Sequence, residues 1–325
     1  MRVTRKILVT GAAGFIGSHL TRALLWGHNT SVIGLDSFKD NYPGTIKEAN
    51  IKPLHRRPNF AFIKGNVLDP SLKETLAADK FDYIYHLAAT PGVRPSWGKE
   101  FDDKYTPNNI TGTSRLLQAC VGLPRLKKII YASSSSVYGD QPVGTALTEE
   151  LECRPISPYG VSKLTAELMC RAYTREKRVP TVSLRYFSVY GPAQRPDMGF
   201  HKFACALLNE EGFDAHKGNH QRDFTYVGDV VQANLLAQNA PDGEVFNVGG
   251  GSVVSLEQAI AILENITGKK AHPNWLENPA GNVHFTQAGL AKSREILGYN
   301  PEVGIEDGLR SQVNYLLQNR ELYGL

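Results

Sequence analysis

Short apolar runs alternate with longer amphipathic segments from residue 5 to about residue 185 of the chain. The runs have the length and the β-branched content of buried strands, and the segments between them have helical spacing. Units of this kind build a parallel sheet with helices on both faces, so the pattern predicts an α/β fold with a doubly wound parallel sheet. The predicted strands are KILVTG, SVIGLD, FAFIKGN, YIYHLAA, KIIYASS and TVSLRYF.

After Tyr190 the pattern changes to shorter elements separated by loops rich in proline and glycine. Such loops predict a smaller second α/β lobe. We expect residues 1–185 to form one unit and residues 186–325 to form this C-terminal lobe, with the chain crossing between them.

Composition narrows the possible partners. Among the 325 residues, Lys plus Arg (36) barely exceed Asp plus Glu (32), which gives no electrostatic support for a nucleic-acid or membrane-surface partner. The 4 cysteines are widely spaced and predict neither a zinc site nor a disulfide framework. The chain has no apolar stretch of about 18 residues, and its first apolar run leads into glycines, so we expect a cytoplasmic protein.

Three glycines follow the first predicted strand in the sequence GAAGFIG, where a helix begins. Gly11, Gly14 and Gly17 permit a tight turn and let backbone N–H groups approach a pyrophosphate at the helix N-terminus, as in a Rossmann-type dinucleotide site. Asp36 ends the second strand, where a carboxylate binds an adenosine ribose and repels a 2′-phosphate. We therefore predict NAD rather than NADP. Asn66 and the loop from His86 to Thr90 follow neighbouring strands at the same edge, and we interpret His86 itself as structural.

Tyr159 and Lys163 lie four residues apart in SPYGVSKLTAELM, so both project from one face of a predicted helix. An ammonium within about 4–6 Å lowers the pKa of a phenol, which predicts Tyr159 as a general base that Lys163 tunes. The serine run at residues 133–136 ends the preceding strand, where ligands of such sheets bind, and its hydroxyls can hydrogen-bond a reacting oxygen.

The motifs of the chain, in the order in which they occur, resemble those of the extended short-chain dehydrogenase/reductases that act on nucleotide sugars. They are the glycine loop, Asp36, HLAA, NITGT, the serine strand, YGVSK and RYFSVYGP. The resemblance implies that Ser134, Tyr159 and Lys163 are catalytic and that Asn109 belongs to a helix that supports the cofactor. The implied NAD contacts are Gly11, Gly14, Phe15, Ile16, Gly17, Asp36, Asn66, Val67, Leu87, Ala88, Ala89, Asn109, Ser133, Tyr159, Lys163 and Tyr186.

Within this family, 4,6-dehydratases and UDP-glucuronate decarboxylases carry carboxylates where this chain has Ser135 and Ser136. The stretches PGVRPSWG and SVYGPAQRPDMGFHKF instead resemble bacterial UDP-glucuronic acid 4-epimerases. The resemblance implies that the hydroxyls of the serine strand, Ser188 and Arg195 bind the sugar carboxylate and that Arg222 contacts the pyrophosphate. The implied substrate contacts are Pro91, Gly92, Arg94, Ser134, Ser135, Ser136, Ser188, Arg195 and Arg222. An arginine with several neutral donors suits a carboxylate.

The resemblance implies an NAD-dependent 4-epimerase that interconverts UDP-glucuronic acid and UDP-galacturonic acid through a transient 4-keto sugar. The C-terminal lobe would bind the nucleotide sugar, and a homodimer would form through the helices that follow Asn109 and Tyr159. A 4-epimerase of neutral UDP-sugars is the main alternative; a UDP-glucuronate decarboxylase and a non-catalytic NAD-sensing protein are two others. Where relatives have acidic residues that contact the nucleotide, this chain has Asn282 and Gly289, which leaves the identity of the nucleotide open.

Overall fold

The computed structural model describes residues 5–27, 29–39, 41–217, 220–277, 281 and 283–325. The strands are β1 (Arg5–Thr10), β2 (Thr30–Asp36), β3 (Phe60–Lys64), β4 (Tyr83–His86), β5 (Lys128–Ser134), β6 (Thr181–Tyr186), β7 (Ser188–Tyr190), β8 (Gly212–His216), β9 (Gln221–Tyr226), β10 (Val245–Val248), β11 (Val253–Ser255) and β12 (His272–Leu276). The α-helices are α1 (Phe15–Leu24), α2 (Gly44–Ile51), α3 (Leu72–Asp79), α4 (Gly112–Ala119), α5 (Pro158–Lys177), α6 (Gly199–Asn209), α7 (Val227–Leu236), α8 (Leu256–Thr267), α9 (Ile305–Gln318) and α10 (Arg320–Tyr323).

Seven of the described strands form one sheet in the order β10-β6-β5-β4-β1-β2-β3, and all of their pairings are parallel. Successive residues of β1 point to opposite faces: Ile7 and Val9 pack in the core with α1 and α7, whereas Leu8 packs with α3, α4 and α5. Both faces are therefore buried, which explains why the strands are almost uniformly apolar. The predicted fold class is confirmed.

The second half of the chain contributes to both lobes. Strands β7, β9 and β11 form a three-stranded sheet, β8 and β12 pair in parallel, and α6, α8 and α9 share a separate apolar core. Strand β10, however, pairs with β6 in the large sheet. A division of the chain at residue 185 stays a prediction.

Pro107 lies in the wide helical segment Phe101–Thr111, which leads directly into α4. Proline lacks the N–H that a regular helix needs, and a wider turn accommodates it. The segment brings Tyr105, Asn108 and Asn109 against the carboxyl edge of the sheet, where Asn109 exchanges hydrogen bonds with the backbone of Thr90. Among the described residues, no helix has both the length and the hydropathy of a bilayer-spanning segment.

A buried ion pair joins β6 of the large sheet to α5. The side chains of Arg185 on β6 and Glu167 on α5 are 4% and 1% exposed, and the Nη2–Oε1 distance is 2.6 Å. Ser133 donates to Glu167 at 2.7 Å, Arg185 Nη1 donates to the hydroxyl of Tyr138 at 2.9 Å, and that hydroxyl donates to Asn247 at 2.7 Å. This network connects β5, α5, β6 and β10.

We expect Arg185→Met to lower the free energy of unfolding by about 3–5 kcal/mol, because it leaves the carboxylate of Glu167 buried without its charge partner. The measurement is urea denaturation followed by circular dichroism. Arg310→Met is the matched control, since Arg310 pairs with Glu306 at the surface of α9 and its loss should change stability by less than about 1 kcal/mol. Equal effects of the two substitutions would contradict the structural importance of the buried pair.

Candidate active site

The glycine loop forms a cradle between β1 and α1. Gly11 has a φ of +73°, and a Cβ there would lie 2.9 Å from the amide nitrogen of Ala88; a Cβ at Gly17 would lie 2.1 Å from the carbonyl oxygen of Gly11. Within the described chain, no side chain caps α1 and its first turn holds no acidic residue. The turn thus leaves its positive helix end available to an anion, which fits a dinucleotide pyrophosphate.

A cavity of about 210 Å³ extends from this loop along the ends of β2, β3 and β4. Asp36 lies at its wall, where its carboxylate accepts N–H groups from Ala13 at 3.1 Å and Phe38 at 2.8 Å. The predicted cofactor residues that line the cavity are Gly11, Asp36, Asn66, Val67, Leu87, Ala88 and Ala89. Shape and lining therefore suit an adenosine group beside a carboxylate that can accept ribose hydroxyls.

The cavity also has lining residues that the sequence did not point to. These are Leu35, Ser37, Lys39, Asn41, Lys47, Gly65, Lys104 and Asn108, and Thr90, which ends the predicted loop, lines the cavity as well. Lys39 donates to Asn108 at 2.9 Å, and the buried Lys47 donates to Asn41 at 3.0 Å and to the carbonyl of Lys39. The nearness of Lys39 and Lys47 to Asp36 along the chain was the available signal, but lysines are too common for sequence alone to select these two.

The hydroxyls of two predicted cofactor residues are engaged inside the protein. Ser133 donates to Glu167, and Tyr186 donates to Asn234 at 2.9 Å. A contact of either residue with NAD would therefore involve its backbone or ring. Phe15 and Ile16 lie in the first turn of α1, next to the glycine loop.

His86 is neutral and structural, as its place at the end of a buried strand predicted. Its Nδ1 lies 2.8 Å from the hydroxyl of Thr10, and its Nε2 lies 3.0 Å from that of Thr113. Burial lowers the pKa of His86 to about 3. The ring joins β1, β4 and α4 beneath the site.

Helix α5 begins so that Tyr159 lies against the serine run. Ser157 accepts the N–H of Gly160 at 3.1 Å, and Pro158 occupies the first helical turn. A Cβ on Gly160 would lie 2.5 Å from the carbonyl oxygen of Ser136, so only glycine lets the helix approach this closely. The backbone N–H of Tyr159 donates to the hydroxyl of Ser96 at 3.1 Å. Ser96 thus anchors the start of the helix, a role that sequence analysis missed within the PGVRPSWG stretch.

Opposing effects act on the phenol of Tyr159. Burial raises its pKa, while a hydrogen bond with Ser134 and the positive charge of Arg195 lower it. In this structure a cation whose charge lowers this pKa is Arg195, and tuning of the phenol by Lys163 stays a prediction. Lys163 is buried and donates to the carbonyl of Ala132 at 2.6 Å, and burial lowers its own pKa to about 8.

The serines of the run at residues 133–136 have different surroundings, since one is bonded inside the protein and others lie at the site. Ser133 faces Glu167, whereas Ser134 accepts the N–H of Ser136 at 3.2 Å and donates to its hydroxyl at 3.2 Å. Ser135 and Ser136 are half-buried in a short turn after β5. Hydroxyls at 134 and 136 therefore lie together beside Tyr159, where they can donate to a sugar oxygen.

The predicted substrate loop at residues 91–98 also reaches Tyr159. Tyr105 donates to the carbonyls of Pro91 at 3.0 Å and Gly92 at 2.8 Å, and its ring meets the ring of Tyr159 edge-on at 6.2 Å. Gly92 has a φ of +106°, which favours glycine at this turn. Partial burial lowers the pKa of Arg94, a residue at the solvent side of the loop. Tyr105 is a further site residue that the sequence did not single out.

Arg195 lies in the loop between β7 and α6, where Asp197 binds its Nε and Nη2, each at 2.9 Å. The half-buried Ser188 begins β7, and Arg222 lies on β9 in the smaller lobe. Burial lowers the pKa of Arg222 to about 10. Both guanidinium groups are thus partly desolvated, a state that strengthens their interaction with anions.

The chain departs from the family pattern at Asn282 and Gly289. Asn282 lies outside the described residues, and Gly281 packs against the ring of Trp97. A Cβ on Gly289 would lie 2.8 Å from the Cγ2 of Thr148, and the Gly289 amide donates to Leu147 at 2.8 Å. An aspartate at 289 would therefore require the neighbouring segment to move.

Comparisons with known proteins agree with this geometry. The model of the Epimerase family, described as the NAD dependent epimerase/dehydratase family, matches residues 7–249. The uncharacterised UDP-glucose epimerase YtcB of Bacillus subtilis is 40% identical over 314 residues, which cover 96% of this chain and 98% of YtcB. The UDP-glucuronate 4-epimerase of Thermodesulfobacterium geofontis is 35% identical, with 97% of each chain covered. The crystal structure of UDP-glucuronic acid 4-epimerase from Bacillus cereus in complex with UDP-glucuronic acid and NAD superposes with a TM-score of 0.92 at 43% identity, covering 97% of this chain and 99% of that one.

We expect Gly17→Ala to weaken NAD binding about tenfold or more, because the added Cβ displaces the Gly11 carbonyl and opens the cradle. The measurement is calorimetric titration of the folded variant with NAD. Gly44→Ala is the matched control, since a Cβ at Gly44 meets no atom within 4 Å and should leave the affinity unchanged. Unaltered NAD affinity in a folded Gly17→Ala protein would contradict this placement of the cofactor.

Proposed function

Because the chain belongs to the NAD dependent epimerase/dehydratase family, we propose that it is an NAD-dependent 4-epimerase that interconverts UDP-glucuronic acid and UDP-galacturonic acid. The observation that carries the proposal is the convergence of a phenol, serine hydroxyls and a guanidinium group. Tyr159 is hydrogen-bonded to Ser134 and lies within the electrostatic reach of Arg195. A base, a donor for the reacting oxygen and a partner for a carboxylate therefore meet in one site.

The cradle and the cavity hold NAD. The backbone of Gly11 and the start of α1 would hold the pyrophosphate, and Asp36 would accept the adenosine ribose hydroxyls and disfavour a 2′-phosphate. Lys163 would hold the ribose on the nicotinamide side, and the loop that contains Ala88 would border the phosphates. When bound, NAD would supply the reversible acceptance of the hydride that leaves C4 of the sugar.

The side chains of the site transfer the proton of the C4 hydroxyl and bind the carboxylate of the sugar. Tyr159 takes the proton of the C4 hydroxyl and later returns it, and Ser134 hydrogen-bonds the same oxygen. Arg195 and the hydroxyls of Ser135, Ser136 and Ser188 hold the C5 carboxylate. A 4-keto uronate loses CO2 when its carboxylate bond aligns with the carbonyl π system, so a fixed carboxylate protects the intermediate.

The remaining predicted contacts extend this substrate site. Pro91, Gly92 and Arg94 border the sugar from the loop that touches Tyr105, and Arg222 in the smaller lobe binds the pyrophosphate. Residues 186–325 would thus supply Ser188, Arg195 and Arg222, whereas the other predicted contacts would come from the first 185 residues. Because positions 135 and 136 carry serines, the site lacks the carboxylates that elimination or decarboxylation would use there.

A 4-epimerase of neutral UDP-sugars is the second candidate. Asp197 already neutralises Arg195, so a hexose without a carboxylate would not leave that charge unpaired. The similarity to YtcB, whose name refers to UDP-glucose, also supports this candidate. The two functions differ only in the group at C5 of the sugar.

Two features support the homodimer and the cytoplasmic location that belong to this proposal. Val161 and Leu168 are 42% and 51% exposed on α5, seven residues apart and so on one face, which suits a homodimer contact between α5 and the helix that follows Asn109. Cys120, Cys153, Cys170 and Cys205 are all free thiols, as in proteins of the reducing cytoplasm.

We expect the protein to convert UDP-glucuronic acid into UDP-galacturonic acid in an assay followed by proton NMR, with UDP-glucose as the comparison substrate. Tyr159→Phe should lower kcat about 10²- to 10⁴-fold while NAD binding persists, because it removes the base and keeps the ring. Tyr173→Phe, on the same helix and away from the site, is the matched control. Conversion of UDP-glucose alone would favour the second candidate, and a near-normal rate for Tyr159→Phe would exclude Tyr159 as the base.

Arg195→Ala should raise KM for UDP-glucuronic acid about 10- to 100-fold, because a charge-assisted hydrogen bond is lost. It should also release UDP-pentose and CO2, since the carboxylate of the intermediate is no longer held. Product analysis by mass spectrometry and NMR measures both effects. Arg310→Ala removes a positive charge far from the site and serves as control; if Arg195→Ala behaves like it, Arg195 does not bind the carboxylate.

A further inference from the structure

Asp197 holds Arg195 by two parallel hydrogen bonds. The Nε–Oδ1 and Nη2–Oδ2 distances are both 2.9 Å, so the carboxylate covers one complete edge of the guanidinium plane. Arg195 has five N–H donors in a rigid fork, and this arrangement uses two of them. The remaining donors, on Nη1 and the second N–H of Nη2, lie on the other edge.

The two edges face different surroundings. The side chain of Asp197 is 49% exposed, whereas that of Arg195 is only 17% exposed. Asp197 therefore lies on the solvent side of the guanidinium group. Burial raises the pKa of the phenols of Tyr159, Tyr105 and Tyr42, and the positive charge of Arg195 opposes that rise at all three. The uncovered edge is thus the one available to the sugar site.

The backbone of this loop is anchored independently of Asp197. Buried Gln194 donates to the carbonyl of Val189 at 3.0 Å and accepts from the N–H of His201 at 3.0 Å. Gln312 on α9 donates to Gln194 at 2.8 Å and accepts the N–H of Gly191 at 3.0 Å. Loss of Asp197 should therefore release the side chain of Arg195 without unfolding the loop.

We propose that Asp197 is a positioning residue that fixes the guanidinium group of Arg195 so that its inner edge meets the substrate carboxylate. The inference rests on the proposed uronate 4-epimerase function and goes beyond it by assigning a residue that contacts no substrate. The guanidinium group is ordered before the substrate arrives, so binding does not have to restrict it. The same pairing also attenuates the positive charge that acts on Tyr159.

The opposite role, in which Asp197 competes with the substrate for Arg195, would follow if the two carboxylates needed the same donors. The geometry argues against it, because Asp197 occupies the Nε edge on the solvent side and leaves the other edge uncovered. The two roles predict opposite changes in KM when Asp197 is removed.

The test compares Asp197→Ala with the wild type in UDP-glucuronic acid turnover. We expect KM to rise about three- to tenfold with a smaller change in kcat, because Arg195 must now be ordered on binding. UDP-pentose and CO2 should form as a side product, since the carboxylate of the keto intermediate is held less firmly. The acidic limb of the rate profile should move to lower pH, because Arg195 without its partner lowers the pKa of Tyr159 further.

Two variants separate positioning from general effects. Asp197→Glu keeps a carboxylate and should restore most of the wild-type KM and suppress UDP-pentose. Glu306→Ala removes the same charge from the exposed pair on α9 and should change none of these quantities. A lower KM for Asp197→Ala, or an unchanged KM without UDP-pentose, would overturn the inference. Failure of the wild type itself to convert UDP-glucuronic acid would instead refute the proposed function.

Discussion

The buried pair between Arg185 and Glu167 is the interaction on which the rest of the site depends. Glu167 lies one turn after Lys163 on α5, and Ser133, which donates to it, precedes Ser134 on β5. Because each partner is almost completely buried, neither charge can exchange its partner for water. The pair therefore fixes the position of α5 against β6 and, through Ser133, against β5. The distance between the phenol of Tyr159 and the serine hydroxyls follows from this position.

The chemistry of the site depends on a balance between burial and charge. Burial raises the pKa of Tyr159, which by itself would make the phenol a weaker candidate for proton exchange near neutral pH. Ser134 and Arg195 act in the other direction, and Asp197 limits the effect of Arg195. Under the proposed function, one guanidinium group would both recognise the carboxylate and tune the base, which would link substrate choice to proton transfer.

Much of the large sheet was predictable, because its inner parallel strands are buried on both faces and therefore carry a local, uninterrupted apolar signal. The glycine cradle, Asp36 and the helix with Tyr159 and Lys163 were predictable for a similar reason, since each motif needs particular residues at adjacent positions. The smaller lobe was less predictable. Its short strands pair across long loops, and β10 joins the other lobe, so local periodicity does not reveal their partners.

The sequence by itself determined the fold class, the family and the set of chemical groups, because strand patterns, turn residues and reactive side chains are written locally in the chain. Only the tertiary structure decided what those groups contact. It turned Ser133 toward Glu167, tied Lys163 to the carbonyl of Ala132, and placed Tyr105 and Ser96 against Tyr159. It also made Arg195 the cation that acts on Tyr159, since electrostatic effects depend on distances between segments that are remote in sequence.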